Sequence, residues 1–256
     1  MAASSTGDCA FPFQPLRPLA ALGAFRDLIN DPEDTRHVFR FFSAAQGRTG
    51  EDSFRRFCDS EYGRGVIANR QSLADALTGR AQLEAHGPGT FAAAYLQYLD
   101  SEGLDPLGVH EAAVAVNPGH YEMLDRDYPQ FSAYMWSMSL THDLYHVLTG
   151  YGRNPLGEAL LLVFTGVQTG SRGSRLLGAM AGLRIRSEIM SWPVGRMMRN
   201  AAAMARAARP MPVQDLSDLF ALPLDGARAA LSITPDPLYR ETLAAWTGPQ
   251  PITARA

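Results

Sequence analysis

Glycine and proline cut this chain into pieces of helical length, and inside the pieces apolar residues recur at spacings of three and four rather than two. A side chain on a helix returns to the same face after three or four positions, whereas a half-buried strand needs strict alternation. The pattern therefore predicts an all-α fold: a single mainly helical domain of about ten helices. The expected helices are Leu19–Ile29, Pro32–Ala45, Asp52–Glu61, Gly65–Leu77, Phe91–Ser101, Glu122–Thr149, Leu156–Thr169, Ser174–Ser191, Val194–Ala208 and a short C-terminal series. Asp31, Thr90 and Asn154 sit where N-caps are wanted. Ala112–Val116 is short and bounded by Asn117-Pro118-Gly119, so it reads as an extended link or a helix end.

The material for a core is ample, since 46% of the 256 residues are hydrophobic. The expected division is a flexible N-terminal tail over 1–17, a helical domain over 18–247 and a C-terminal tail over 248–256. A net charge of −3 lacks the basic excess that counterion-driven binding needs, so no nucleic-acid partner is expected. All 23 cations are arginine, which removes Schiff-base chemistry and the P-loop lysine. Cys9 and Cys58 form neither a C-x-x-C pair nor a secreted disulfide framework, and a reducing compartment is the natural reading. No apolar stretch approaches the ~20 residues of a membrane span. The start, MAASSTGDCAFPF, lacks the charge and apolar run of a signal peptide. The expectation is a cytoplasmic protein, soluble or resting on a membrane surface.

Charge is unevenly spread. Between Ser171 and Pro210 lie Arg172, Arg175, Arg184, Arg186, Arg196, Arg199, Arg206 and Arg209, with Glu188 the only acid. Such asymmetry suggests an anionic partner. Val194, Met197, Met198, Ala201, Ala205 and Ala208 form a helical stripe opposite Arg196, Arg199 and Arg206, which suits a helix lying on an anionic membrane. A packed surface helix has the same pattern, and both readings stay open.

The chemistry concentrates in Thr141-His142-Asp143-Leu144-Tyr145-His146, followed by Asn154-Pro155-Leu156-Gly157-Glu158. On a helix, His142 and His146 lie one turn apart on one face, and Asp143, three before His146, borders it. Gly150 and Gly152 end that helix, Asn154 caps the next, and Glu158 falls in the first turn of this antiparallel neighbour. The expected metal site between the two helices is His142, Asp143, His146 and Glu158. Such a set suits a divalent cation, zinc first, with iron(II), manganese or cobalt also accommodated. Two core histidines with a solvated aspartate are the plain alternative.

His142-Asp143-x-x-His146, eleven residues and Glu158 resemble the signature of the Coq4 family of ubiquinone-biosynthesis proteins. The resemblance runs from about Leu16 to Thr234 and includes Thr90-Phe91, Tyr95, Gly103, Asp125-Arg126-Asp127-Tyr128, Leu222-Pro223-Leu224 and Leu231-Ser232-Ile233. Tyr145 stands where a tryptophan is usual. The resemblance implies an all-α protein peripheral at the inner face of the membrane, working with other ubiquinone-biosynthesis proteins. It implies a divalent metal beside a cavity for a polyprenylated aromatic lipid, and a metal-dependent, oxidative decarboxylation at C1 of a 4-hydroxybenzoate-derived ring. His142, Asp143, His146 and Glu158 would be ligands, with one carboxylate free to act as a base. Tyr134, Met135, Trp136, Met138 and Tyr145 either line a lipid cavity or are ordinary core. A non-catalytic prenyl-lipid-binding scaffold with a structural metal is the alternative function, and a phosphohydrolase using Arg172 or Arg175 ranks behind it. Whether the chain forms a homodimer is left open.

Overall fold

The computed structural model describes residues 9–13, 15–30 and 36–248. Among them there is no strand, and one isolated antiparallel bridge joins Thr90 to Pro223. Helices number sixteen rather than about ten: α1 Pro18–Asn30, α2 Arg36–Ala45, α3 Glu51–Asp59, α4 Glu61–Ala68, α5 Arg70–Thr78, α6 Arg80–Glu84, α7 Phe91–Glu102, α8 Gly108–Val116, α9 Pro118–Asp127, α10 Pro129–Leu140, α11 His142–Thr149, α12 Pro155–Gln168, α13 Arg172–Glu188, α14 Val194–Ala207, α15 Leu224–Ala230 and α16 Pro237–Ala244. Ala112–Val116 is the C-terminal half of α8, the helix-end alternative. Thr90 and Asn154 cap α7 and α12 through Ala93 N–H and Gly157 N–H. Asp31, with the start of the expected Pro32–Ala45 helix, lies outside the described residues, as do most of the expected tails.

The extra helices come from breaks that periodicity does not register. The expected Glu122–Thr149 helix is three, α9 to α11. Pro129 bars Tyr128 from helical geometry (φ −138°, ψ 55°) and then opens α10, where its missing N–H costs nothing. At Thr141 the hydroxyl donates to Ser137 O at 2.8 Å, competing for a helix carbonyl at the bend into α11. The expected Gly65–Leu77 helix is likewise split at Asn69, which caps α5 through Gln71 N–H.

Helix α12 is apolar nearly all round, and it is correspondingly central, packing on α13, α14 and α11. Leu156, Leu160 and Phe164 are fully buried in one core that also takes in α3–α5, α7, α10 and α11. The stripe Val194, Met197, Ala201, Ala205 and Ala208 of α14 faces this core, so the packed-helix reading holds and the stripe does not lie on a membrane. Tyr134 and Tyr145 are core, with Met135, Trp136 and Met138 packed against it. The hydrophobic length of α12 does not span a bilayer either: among the described residues no helix is long and apolar enough to cross a membrane.

The N-terminal segment corrects one expectation. Phe11 packs against Phe54 and Phe131. Cys9 and Cys58 are joined by a disulfide, Cα atoms 6.8 Å apart, where the sequence reading has two unrelated thiols. Forty-nine residues separate them, and only the fold brings them together.

Candidate metal centre

Helix α11 ends where Gly150 takes a left-handed conformation (φ 76°), accessible to glycine at no steric cost. Arg228 of α15 donates from Nε to Leu148 O and from Nη2 to Val147 O, both at 3.0 Å, satisfying α11 carbonyls that the helix leaves unpaired. The chain then turns through Tyr151–Asn154 into α12. The Tyr239 hydroxyl pins that turn, accepting from Gly152 N–H at 2.9 Å and from Asn154 Nδ2 at 2.6 Å. Gly157 makes the close approach of α12 and turn attainable: a Cβ there would lie 1.9 Å from Gly152 O. Asn154 and Pro155 start α12, and Glu158 falls in its first turn.

Three side chains meet across this corner. His142 Nε2 is 3.1 Å from His146 Nε2, and Glu158 Oε1 is 3.4 Å from His146 Nε2. Donor atoms of His142, His146 and Glu158 all lie within 4.8 Å of one another. Asp143 is not in this group. Its carboxyl is buried (4% exposed), which raises its pKa, while His146 and Arg153 act to lower it.

The tautomer of His146 follows from its surroundings. Nδ1 lies 2.8 Å from Tyr151 O, and a carbonyl only accepts, so Nδ1 carries a hydrogen and Nε2 is the nitrogen that faces His142 and Glu158 and would offer its lone pair to a metal once deprotonated. Burial by itself would lower the pKa of His146, but the Glu158 carboxylate, the Tyr151 carbonyl and Asp143 together raise it. His142 is pushed down to about 4, by burial and then by His146. Burial acts to raise Glu158, yet His146, His142 and Arg153 outweigh it and hold the carboxyl low. The result is two imidazoles beside an ionised carboxylate.

This donor set fits a divalent cation. Nitrogen or oxygen ligands at about 2.0–2.2 Å from one ion stand about 2.8–3.6 Å apart in tetrahedral or octahedral geometry; the His142–His146 and His146–Glu158 separations of 3.1 and 3.4 Å fall in that interval, and the third pair lies within 4.8 Å. His142 and Glu158 are only partly buried, so the cluster is reachable from outside.

Other residues around the centre were not singled out by ligand spacing. The Tyr98 ring stacks on His146, centroids 5.6 Å apart and planes at 21°. The hydroxyls of Tyr98 and of Tyr95, one turn earlier on α7, are buried without a hydrogen-bond partner. Burial raises both phenols, and Asp143 raises them further. Arg153, inside the turn, is the cation whose field reaches His142, Asp143, Glu158 and Tyr98. Its place between Gly152 and Asn154 could have drawn notice from sequence; Arg228 and Tyr239, far along the chain, could not.

Comparison with known proteins agrees with this architecture. No curated protein sequence matches the chain. A crystal structure of a candidate ubiquinone biosynthesis protein from Nostoc punctiforme PCC 73102 has the same fold, with a TM-score of 0.55 at 17% identity over 85% of this chain and 98% of that one. The profile of the coenzyme Q (ubiquinone) biosynthesis protein Coq4 matches residues 16–237, a span that contains both histidines and Glu158. The chain belongs to the Coq4 family of ubiquinone-biosynthesis proteins.

Proposed function

We propose that the protein is a metal-dependent decarboxylase of ubiquinone biosynthesis, removing the C1 carboxylate of a polyprenylated 4-hydroxybenzoate-derived ring. The observation that carries this reading is the convergence of His142, His146 and Glu158, with their donor atoms within 4.8 Å of one another, at a partly exposed corner. Three protein ligands leave coordination positions for a substrate, whereas closed four-ligand sites tend to be structural, so the geometry favours catalysis over a scaffold. Two histidines and one carboxylate suit zinc as well as iron(II).

A divalent cation held there by His142, His146 and Glu158 would supply a Lewis acid for a carboxylate or phenolate oxygen, and the oxidative reaction would need it to be redox-active, iron(II) rather than zinc. The ring–carboxylate bond breaks and carbon dioxide leaves. In the oxidative form one oxygen atom of dioxygen becomes the new ring hydroxyl and the other leaves as water, with two electrons and two protons from a reductant. The protein's own groups orient and balance charge: Tyr151 O fixes the His146 ring, Arg153 attracts the anionic substrate, and Asp143, beside the cluster and outside it, moves the proton.

The test is Glu158→Gln, nearly isosteric but uncharged, introduced into a strain lacking the endogenous protein. The variant should fold, lose its metal by elemental analysis and fail to restore ubiquinone, while a prenylated ring still bearing its carboxylate accumulates. Normal ubiquinone with normal metal content would end the three-residue site. Accumulation of a ring already lacking its carboxylate would assign another step.

The partner surface follows from charge and exposure. Arg172, Leu176, Ala179, Leu183 and Arg186 recur at three and four along α13 and are all exposed, with Met190 continuing the line. Leu183 and Met190 are 69% and 86% exposed. Aliphatic side chains flanked by arginines match an anionic lipid surface, and this face, rather than the α14 stripe, is where the protein would meet the membrane that holds its substrate.

A further inference from the structure

One face of the His146 imidazole is covered by a ring that offers the metal cluster no donor atom. Tyr98, on α7, lies against it with centroids 5.6 Å apart and planes at 21°, an offset stack. Two other contacts limit the same imidazole: Tyr151 O meets Nδ1 at 2.8 Å, and His142 comes in edge-on, with planes at 83° and centroids 4.7 Å apart. A hydrogen bond at one ring atom holds that edge and still lets the plane tilt about it. A ring laid along the face opposes the tilt. The platform behind Tyr98 is itself fixed. Thr90 caps α7, while Phe91 N–H donates to Leu222 O at 2.8 Å and Ala92 N–H to Phe220 O at 3.2 Å, tying the start of α7 to the segment before α15. The Tyr98 hydroxyl, by contrast, has no hydrogen-bond partner.

We infer that Tyr98 is a positioning residue of the metal centre, its ring holding the plane of His146 so that Nε2 points to where His142 and Glu158 also offer donor atoms. Direction matters because the lone pair of a ligating imidazole lies in the ring plane, so a tilt turns it off the ion while the side chain stays in place. The hold comes from the ring, and the unpartnered hydroxyl adds nothing to it. The inference rests on the metal reading of the cluster and is independent of which reaction the metal serves. It adds a residue on a helix that carries none of the cluster's donors.

The experiment titrates zinc and cobalt(II) into the metal-stripped full chain, reading affinity by competition with a chelator and coordination geometry by the cobalt d–d absorption. Tyr98→Leu and Tyr98→Met fill space without a flat face. Both should bind zinc about tenfold more weakly, the usual effect of removing an outer support of a ligating histidine, and should show an altered cobalt spectrum. Tyr98→Phe should keep wild-type affinity and spectrum, because the deleted hydroxyl has no partner. Leu28→Ala, in the separate small core of α1, α2 and α13, should lower Tm and leave both metal readouts unchanged. Wild-type affinity and spectrum in Tyr98→Leu and Tyr98→Met would overturn the inference and leave the proposed function standing, as would a loss in Tyr98→Phe equal to theirs. An equal loss in Leu28→Ala would overturn it too, by making general destabilisation the cause. Failure of wild type to bind either metal would overturn the metal centre, and this inference with it.

Discussion

At the scale of single residues, the centre depends on groups that touch no metal. The Tyr239 hydroxyl makes two hydrogen bonds to the turn that delivers the Tyr151 carbonyl to His146, and it is buried at 4% exposure. Tyr239→Phe removes both bonds and strands two donors, which should cost about 1–3 kcal/mol. Thermal melting should show a Tm lower by several degrees, and metal titration a weaker site, since outer partners of a ligating histidine commonly contribute tenfold or more to affinity. An unchanged affinity would mean that the turn holds His146 without Tyr239. Gly157 is a stricter constraint. With Gly152 O 1.9 Å from where its Cβ would stand, Gly157→Ala must push the turn and α12 apart. The expected result is destabilisation of about 3 kcal/mol or more with loss of metal binding; a variant with wild-type Tm and metal content would show that the close approach is dispensable.

At the scale of elements, the notable feature is how short α11 is. Its eight residues would be marginal as an isolated helix, and its geometry is held by neighbours: the bend at Thr141, Gly150 at one end and Arg228 from α15 on its last carbonyls. Arg228 combines two hydrogen bonds with a positive charge at the helix's negative end. Arg228→Ala should therefore lower stability by about 2 kcal/mol and loosen the His142–His146 pair. The checks are a denaturant melt and the stoichiometry of bound metal. Arg228→Lys should recover part of the loss, since an ammonium keeps the charge but cannot reach both carbonyls with a planar fork. Equal stability of both variants with wild type would place the support of α11 elsewhere.

For the whole molecule, the basic α13 face predicts association with vesicles containing anionic lipid, weakening as salt rises because exposed charges are screened over ~8–10 Å at physiological ionic strength. Replacing Leu183 and Met190 together by Asp should reduce that binding at fixed salt without lowering Tm, as both side chains are exposed. Equal binding to neutral vesicles would remove the electrostatic argument. The disulfide between Cys9 and Cys58 acts at the same scale: closing a segment of this length restricts the unfolded chain by roughly 4 kcal/mol in the chain-entropy account.

Helix class, the two caps Thr90 and Asn154, and the pairing of His142, His146 and Glu158 were legible in the sequence because each rests on spacing within a turn or across one short connection. Spacing also placed Asp143 on the border of the histidine face, but a residue 100° away can turn to either side, so spacing alone does not say whether it joins the cluster. The arginine-flanked stripe of α14 was ambiguous for a related reason: an amphipathic pattern states that one face is apolar and leaves open whether protein or lipid covers it. Only the packing of α14 on α12 resolved that, and it transferred the exposed apolar line to α13. The Cys9–Cys58 bridge, the hold of Arg228 on α11, the pin of Tyr239 and the stacking of Tyr98 on His146 all join residues 48 or more positions apart. Local propensity carries no record of such pairs, because they are set when the helices close on a shared core.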